Sequence, residues 1–84
     1  MTVKIVKVRS LTTLPCAYSN TVDDGYCRYV TVDGKRVGDV LKFKPDWGGG
    51  YVFNEEWHDG KRGVQIRAHT LADLKRKIAD HYQN

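Results

Sequence analysis

The sequence predicts an α+β domain: a single antiparallel meander sheet of five or six strands with one C-terminal helix, about residues 70–82, packed on it. Three observations indicate this fold. Asp-Gly pairs recur at Asp24-Gly25, Asp33-Gly34 and Asp59-Gly60, and this dipeptide suits two-residue hairpin turns because glycine adopts a positive φ without strain. Runs rich in β-branched and aromatic residues lie between and around these pairs. The last segment has the apolar spacing of a helix.

The first strand is predicted in TVKIVKVR, a run dense in β-branched residues. Val3 and Ile5 point to one face, whereas Val6 and Val8 point to the other. The pattern therefore indicates either a bulge or a central strand that is buried on both faces.

The next two strands, YCRYVTV and KRVGDVLKFK, are expected to pair through Asp33-Gly34. In the second of them Val37, Leu41 and Phe43 are predicted to share a face. Pro45 ends the pairing, and the three glycines of PDWGGG predict a flexible connection. Trp47 beside them has three interpretations: a lid on the core, an exposed contact residue, or a platform on which a nucleic-acid base stacks.

Two further strands, YVFNEEW and VQIRAH, precede the helix. Tyr51, Phe53 and Trp57 share one face of the first. Alternation in the second places Val64, Ile66 and Ala68 toward the core. The intervening HDGKRG closes either as a tight turn or as a longer loop with a bulge at Gly63.

The helix is predicted to begin after Thr70, whose hydroxyl accepts a hydrogen bond from a free backbone N–H, with Asp73 favouring the positive end of the dipole. Apolar residues then recur at steps of three and four and form one stripe that faces the sheet: Leu71, Leu74, Ile78 and Tyr82. The basic residues between them are expected to face water.

Length and composition favour one small domain, residues 1–84, with 40% apolar and 29% charged residues. The opening segment lacks the apolar core of a signal peptide, and no apolar run has membrane-spanning length, so a cytoplasmic location is expected. In that compartment Cys16 and Cys27 usually stay reduced, although a disulfide is possible if they lie opposite each other on neighbouring strands.

Candidate chemistry is sparse, and the sequence predicts a protein that is not an enzyme and needs no cofactor. Glu55 and Glu56 are adjacent in a strand, so their carboxylates point to opposite faces and are expected to be surface charges. The two cysteines and three histidines contain no CxxC or HxxxH pair, and no metal site is predicted. His69 is expected to pack at the helix entrance, and His81 suits the negative end of the helix dipole.

The charge distribution is the strongest indication of function. The chain has 14 Lys and Arg against 10 Asp and Glu. Between residues 61 and 77 the basic side chains outnumber the one acid, Asp73, and a local excess of this kind attracts polyanions or acidic protein surfaces. We therefore predict binding of nucleic acid or of a nucleic-acid-handling complex, provided that these cations share an outer patch: Lys61, Arg62, Arg67, Lys75, Arg76 and Lys77.

An alternative is a small protein–protein inhibitor or adaptor, as many virus-encoded modulators are, because aromatic residues dominate interface hot spots and Trp47, Tyr51 and Trp57 are available. Its partner would be an acidic protein surface, and an unpaired edge strand would allow a homodimer. In layout, WG followed by two strands and a helix over residues 37–82 resembles the sheet-and-helix DNA-binding domains of some plant transcription factors and integrase arms. The resemblance implies a sheet that enters the major groove.

Overall fold

The computed structural model describes residues 1–9, 26–56 and 59–83. The predicted α+β meander is confirmed, because five antiparallel strands follow one another across the sheet in chain order and a single helix packs on it. The elements are β1 (Val3–Arg9), β2 (Tyr26–Val32), β3 (Lys35–Lys42), β4 (Tyr51–Glu55), β5 (Gln65–Ala68) and α1 (Leu71–Gln83). The predictions for Asp24-Gly25, Cys16 and Trp57 concern positions outside the described residues.

Two of the predicted Asp-Gly turns are present. Asp33 and Gly34 have φ of 51° and 84°, and Asp59 and Gly60 have φ of 52° and 74°. Only the first of these closes a two-residue hairpin, between β2 and β3. The connection from β4 to β5 spans residues 56–64, which agrees with the longer of the two loops considered. Gly63 packs there against the backbone of Glu55, where a side chain has no room.

The core lies between the sheet and one face of α1. Val30, Phe53, Leu74 and Ile78 are fully buried, and Leu71 and Tyr82 pack at the edge of this cluster, so the predicted apolar stripe of the helix is confirmed. The helix contacts β1, β4 and β5. A sheet of five strands is about 19 Å wide, and a helix of 13 residues is about 20 Å long, so α1 is long enough to reach both outer strands by lying across the sheet.

The helix begins with the cap that the sequence predicts. The Thr70 hydroxyl accepts a hydrogen bond of 3.1 Å from the backbone N–H of Asp73, and the Thr70 carbonyl accepts one of 3.0 Å from Leu74. Thr70 is therefore the N-cap.

Two strand predictions need correction. Among the described strands, β1 lies at the edge of the sheet and pairs with β2 without a shift in register, so neither a bulge nor a central position among these strands explains its two apolar faces. Val3 is buried toward the helix, whereas Val8 is exposed on the other face. In β3 a register irregularity opposite Val30 and Thr31 takes Val37 out of simple alternation, and Gly38 and Val40 are the buried residues of the strand.

The segment after β3 folds into a hydrogen-bonded turn, and its flexibility stays a prediction. Pro45–Trp47 forms a 3₁₀ turn, and the next three glycines all have positive φ. Hydrogen bonds of 2.9–3.1 Å close the turn on Lys44, Pro45 and Phe43. At Gly50 a Cβ would lie 2.7 Å from the Ala68 carbonyl oxygen, so glycine lets this turn approach the end of β5.

Two further findings bear on the expectations for compartment and thiols. Cys27 is disulfide-bonded, which differs from the expectation of reduced thiols. The chain's other cysteine, Cys16, lies outside the described residues. Among the described residues, no helix has the length and apolar character needed to cross a bilayer.

Candidate nucleic-acid interface

The six basic residues of the predicted patch do not share one surface. Lys75, Arg76 and Lys77 are consecutive on α1, and successive side chains of a helix are rotated by about 100° from each other. The Lys77 ammonium reaches the β5 side, where it donates a hydrogen bond of 2.9 Å to the Arg67 carbonyl oxygen. Lys75 and Arg76 instead border a cleft beside Met1, Thr2 and Val3.

Arg76 has acidic neighbours, and the three cations outside the helix lie at two different places. Arg76 lies 4.0 Å from the Asp73 carboxylate and 3.9 Å from that of Asp80, so its charge is partly balanced. Lys61 and Arg62 are exposed in the connection that precedes β5, whereas Arg67 lies near the far end of that strand. The structure therefore brings Arg67 together with Lys77 at one cleft and Lys75 together with Arg76 at another.

Arg67 and Lys77 meet at a cleft that also contains Trp47. This cleft has a volume of about 310 Å³, and we call it the Trp47 cleft. The described residues that line it are Trp47, Gly48, Gly49, Tyr51, Arg67, Ala68, His69, Asp73 and Lys77. Because Gly50 lies close to Ala68, the turn after β3 reaches the beginning of the helix.

Trp47 is 60% exposed, which excludes its interpretation as a lid on the core. The two glycines after it add no side chains to the wall beside the indole. The other two interpretations, an exposed contact residue and a stacking platform for a base, are both compatible with this position. Tyr51 is half-buried against the core and forms the inner wall of the cleft. Trp57, the third predicted aromatic contact, lies outside the described residues.

The charges of the Trp47 cleft are mainly positive. Lys77 is hydrogen-bonded to a neutral carbonyl group, which fixes the ammonium and leaves its charge in place. The Arg67 guanidinium lies 4.3 Å from the centroid of the Phe43 ring, a cation–π distance that holds it on the helix-free face of the sheet. Asp73 is the one carboxylate in the described lining. The cleft thus combines an aromatic surface with the Lys77 ammonium, and the Arg67 guanidinium lies on the other face of the strand that borders it.

His69 and Asp73 also line the cleft, although the sequence suggested only roles at the helix entrance. No motif marks them, because they meet Trp47 through the approach of Gly50 to Ala68, which is a tertiary contact. The spacing of the sequence alone contains no signal for this contact.

A second group of polar side chains joins the sheet to the end of the helix. Glu55 accepts hydrogen bonds of 2.5 Å from the Tyr82 hydroxyl and 3.1 Å from His81 Nε2. The Glu55 carboxylate is 21% exposed, so the expectation that it is a surface charge is wrong. Glu56 does lie on the surface, with its carboxylate 3.6 Å from Arg36.

The environment of Glu55 changes two pKa values. Burial by itself would raise the pKa of Glu55, but the hydrogen bonds from Tyr82, His81 and Val64 outweigh it, and the pKa is lower than that of a free glutamate. Burial and the hydrogen bond to Glu55 raise the pKa of Tyr82. Both effects stabilise an ionised carboxylate bonded to a neutral phenol. This group fastens the last turn of α1 to β4.

Within residues 1–9, 26–56 and 59–83 no three His, Cys, Asp or Glu side chains are grouped so that they could hold a metal ion. Comparison with family models, curated proteins and solved structures finds no match to this chain. The layout resemblance to sheet-and-helix DNA-binding domains therefore has no structural match behind it, and the sheet that contains the layout has five strands.

Proposed function

We propose that this protein is a non-enzymatic nucleic-acid-binding domain whose binding surface is the Trp47 cleft. The observation that carries the proposal is the exposed indole of Trp47 in one cleft with Arg67 and Lys77. Proteins that bind single strands combine aromatic platforms for the bases with cations for the phosphates. The proposal includes a single-stranded ligand and a cytoplasmic location, although a disulfide such as that of Cys27 is less common in a reducing compartment.

The geometry favours a single strand over a duplex. The cleft of about 310 Å³ is a local concavity beside the indole, and a base must leave its stack to reach such a position. A stacked base contributes about 1–3 kcal/mol of binding free energy. The Lys77 ammonium and the Arg67 guanidinium then supply the charge for neighbouring phosphates.

The direct test is the salt dependence of binding to a fluorescent 12-nucleotide single strand, followed by anisotropy. Arg67→Gln combined with Lys77→Gln should weaken binding and reduce the slope of log K against log salt by about 1.4, since each phosphate contact on a single strand contributes about 0.7. Trp47→Ala should lower the affinity about 5- to 150-fold, which corresponds to the loss of one stacked base.

The matched control is Lys61→Gln combined with Arg62→Gln, which removes the same charge from the exposed connection before β5. This control should keep most of the affinity. Equal losses for both double variants would show that charge acts without a defined site. Binding that is insensitive to salt and unchanged by Arg67→Gln with Lys77→Gln would refute the proposal.

The competing class, a protein–protein inhibitor or adaptor, rests on the same exposed Trp47. Capture of partners from native cells, with and without nuclease, separates the two classes. Nucleic-acid binding requires that capture is lost after nuclease treatment, whereas an adaptor retains its protein partner. A homodimer formed through an edge strand stays a prediction for β1 or β5, the two outer strands of the sheet.

A further inference from the structure

Asp73 is the one side chain in the described lining of the Trp47 cleft that repels a nucleic-acid backbone. At a surface that attracts a polyanion, a carboxylate lowers the affinity unless it contacts a hydrogen-bond donor of the ligand. The phosphates carry no such donor, whereas the bases do, as does the ribose hydroxyl of RNA. The position of Asp73 in this cleft therefore indicates a contact with a base or a ribose.

The Asp73 carboxylate is accessible for such a contact. Its backbone is fixed in the first turn of α1, where the N–H donates a hydrogen bond of 3.1 Å to the Thr70 hydroxyl. Arg76 Nη2 lies 4.0 Å from Oδ1, and both side chains are more than half exposed. An exposed ion pair of that length contributes little. Within the part of the chain that the structure describes, no donor is hydrogen-bonded to the carboxylate.

The shape of the Trp47 cleft suits one base. Its volume of about 310 Å³ is at the lower end of the range for small-ligand sites. Gly48 and Gly49 leave the space beside the exposed indole free of side chains. A base that stacks on the indole lies parallel to that ring, so its polar edge meets the other walls of the cleft. Asp73 is part of those walls.

The helix places a cation next to this carboxylate for the phosphate of the same nucleotide. Asp73 and Lys77 are four residues apart, so their side chains lie one above the other on α1. The Lys77 ammonium is fixed by its hydrogen bond of 2.9 Å to the Arg67 carbonyl oxygen. One face of the helix thus offers an acceptor for a base edge and, one turn later, a positive charge for a phosphate.

We propose that the Trp47 cleft selects guanine and that Asp73 recognises the base. Guanine presents two adjacent donors, N1–H and the N2 amino group, which match the two oxygens of a carboxylate. Adenine and cytosine present one amino group beside a ring-nitrogen acceptor, and thymine and uracil present one N–H between two carbonyl oxygens. Each of these bases therefore places an acceptor against the carboxylate. The inference rests on the proposed function, because it assigns a base to the same cleft.

The test compares fluorescent 12-nucleotide DNA strands that carry guanine, adenine, cytosine or inosine at every third position of a thymine background. Affinities are measured by anisotropy at one salt concentration. The guanine strand should bind about 5- to 150-fold more tightly than the adenine and cytosine strands, which is the discrimination that one bidentate contact gives. Inosine keeps N1–H and lacks the N2 amino group, so its strand should bind with an intermediate affinity.

Asp73→Ala should change the two affinities in opposite directions. It should weaken binding of the guanine strand at least fivefold and leave binding of the adenine strand equal or tighter, because a charge that repels phosphates is removed. Asp80→Ala is the matched control, since Asp80 is also exposed beside Arg76, at 3.9 Å, and does not line the cleft. This control should keep the preference for guanine. The cap on the helix survives Asp73→Ala, because Thr70 bonds to the backbone N–H.

Equal affinities of the wild type for the guanine and adenine strands would overturn the proposal, as would an equal loss of preference in Asp73→Ala and Asp80→Ala. If the strands then still bind and Trp47→Ala weakens all of them, the nucleic-acid-binding function stands without selection of guanine. Absence of binding to every strand overturns both. The two failures are therefore distinguishable in one set of titrations.

Discussion

Replacement of Gly38 by alanine should destabilise the fold severely, although the change adds a single methyl group. Gly38 lies in the middle of β3, opposite Val30 on one side and Glu55 on the other. A Cβ at this position would collide with the Asn54 carbonyl oxygen, and it would lie 2.6 Å from Cε1 of Phe53 and 2.9 Å from Cα of Glu55. Two of these atoms belong to the backbone, so rotation of a side chain cannot relieve the contact.

The expected loss of stability follows from how far the neighbouring backbone must move. Ordinary contacts require the β4 backbone to shift by roughly 1 Å, which weakens its pairing with β3 and displaces the fully buried Phe53 ring. Overpacking of this kind costs about 1–3 kcal/mol and sometimes more. The smaller entropy of the unfolded alanine chain offsets about 0.4–1 kcal/mol. We expect a net loss of about 2 kcal/mol, from a total of about 4–12 kcal/mol for a domain of this length.

The assay is thermal and urea unfolding followed by circular dichroism. A loss of about 2 kcal/mol lowers the Tm by roughly 8–16 °C in a domain of 60–100 residues. Gly48→Ala is the control. No atom lies within 4 Å of the Cβ position at Gly48, so only the φ of 88° disfavours a side chain there. It should cost about 1 kcal/mol. A Tm for Gly38→Ala within 2 °C of the wild type would refute the packing argument.

Two other stability predictions concern the ends of the helix. Glu55→Gln should cost about 1–2 kcal/mol at pH 7, because it weakens the hydrogen bonds from Tyr82 and His81 to an ionised acceptor. Since the pKa of Glu55 is lower in the folded protein than in the unfolded chain, this contribution is present above about pH 4.5 and is lost as the pH falls through the folded-state value. Urea unfolding from pH 7 to pH 3 should therefore show the variant and the wild type converging, and a constant difference would contradict the assignment. Thr70→Ala should cost about 1 kcal/mol through loss of the cap on Asp73, whereas Thr70→Ser should restore most of it, and equal losses for the two variants would contradict the capping role.

Some of the sequence-based predictions about the site depended on local geometry and others did not. The helix cap at Thr70 was predictable because the donor and the acceptor are three residues apart. The arrangement of the basic residues was not predictable. It depends on the direction of each side chain of α1 and on the location of the connection before β5. Helical rotation separates Lys75 from Lys77, but only the packing of α1 on the sheet decides that one meets β1 and the other meets β5.

Lys7 and Arg28 show the same limit from the other direction. They are 21 positions apart in the chain, and only the strand register makes them neighbours. Register depends on how the apolar faces of all the strands are buried together, so it is a property of the assembled sheet. Nothing in the local sequence around either residue signals this contact.

The sequence by itself determined the elements of this protein: five described strands, the hairpin at Asp33-Gly34, and an amphipathic helix with its cap. These follow from backbone preferences and from periodic burial, which act over a few residues. The tertiary structure alone decided which charges meet, where Trp47 lies, and why Glu55 is largely buried, because these depend on contacts between segments far apart in the chain. Hydrophobic burial specifies that the faces pack, and the position of α1 on the sheet then determines which polar residues border the clefts that remain.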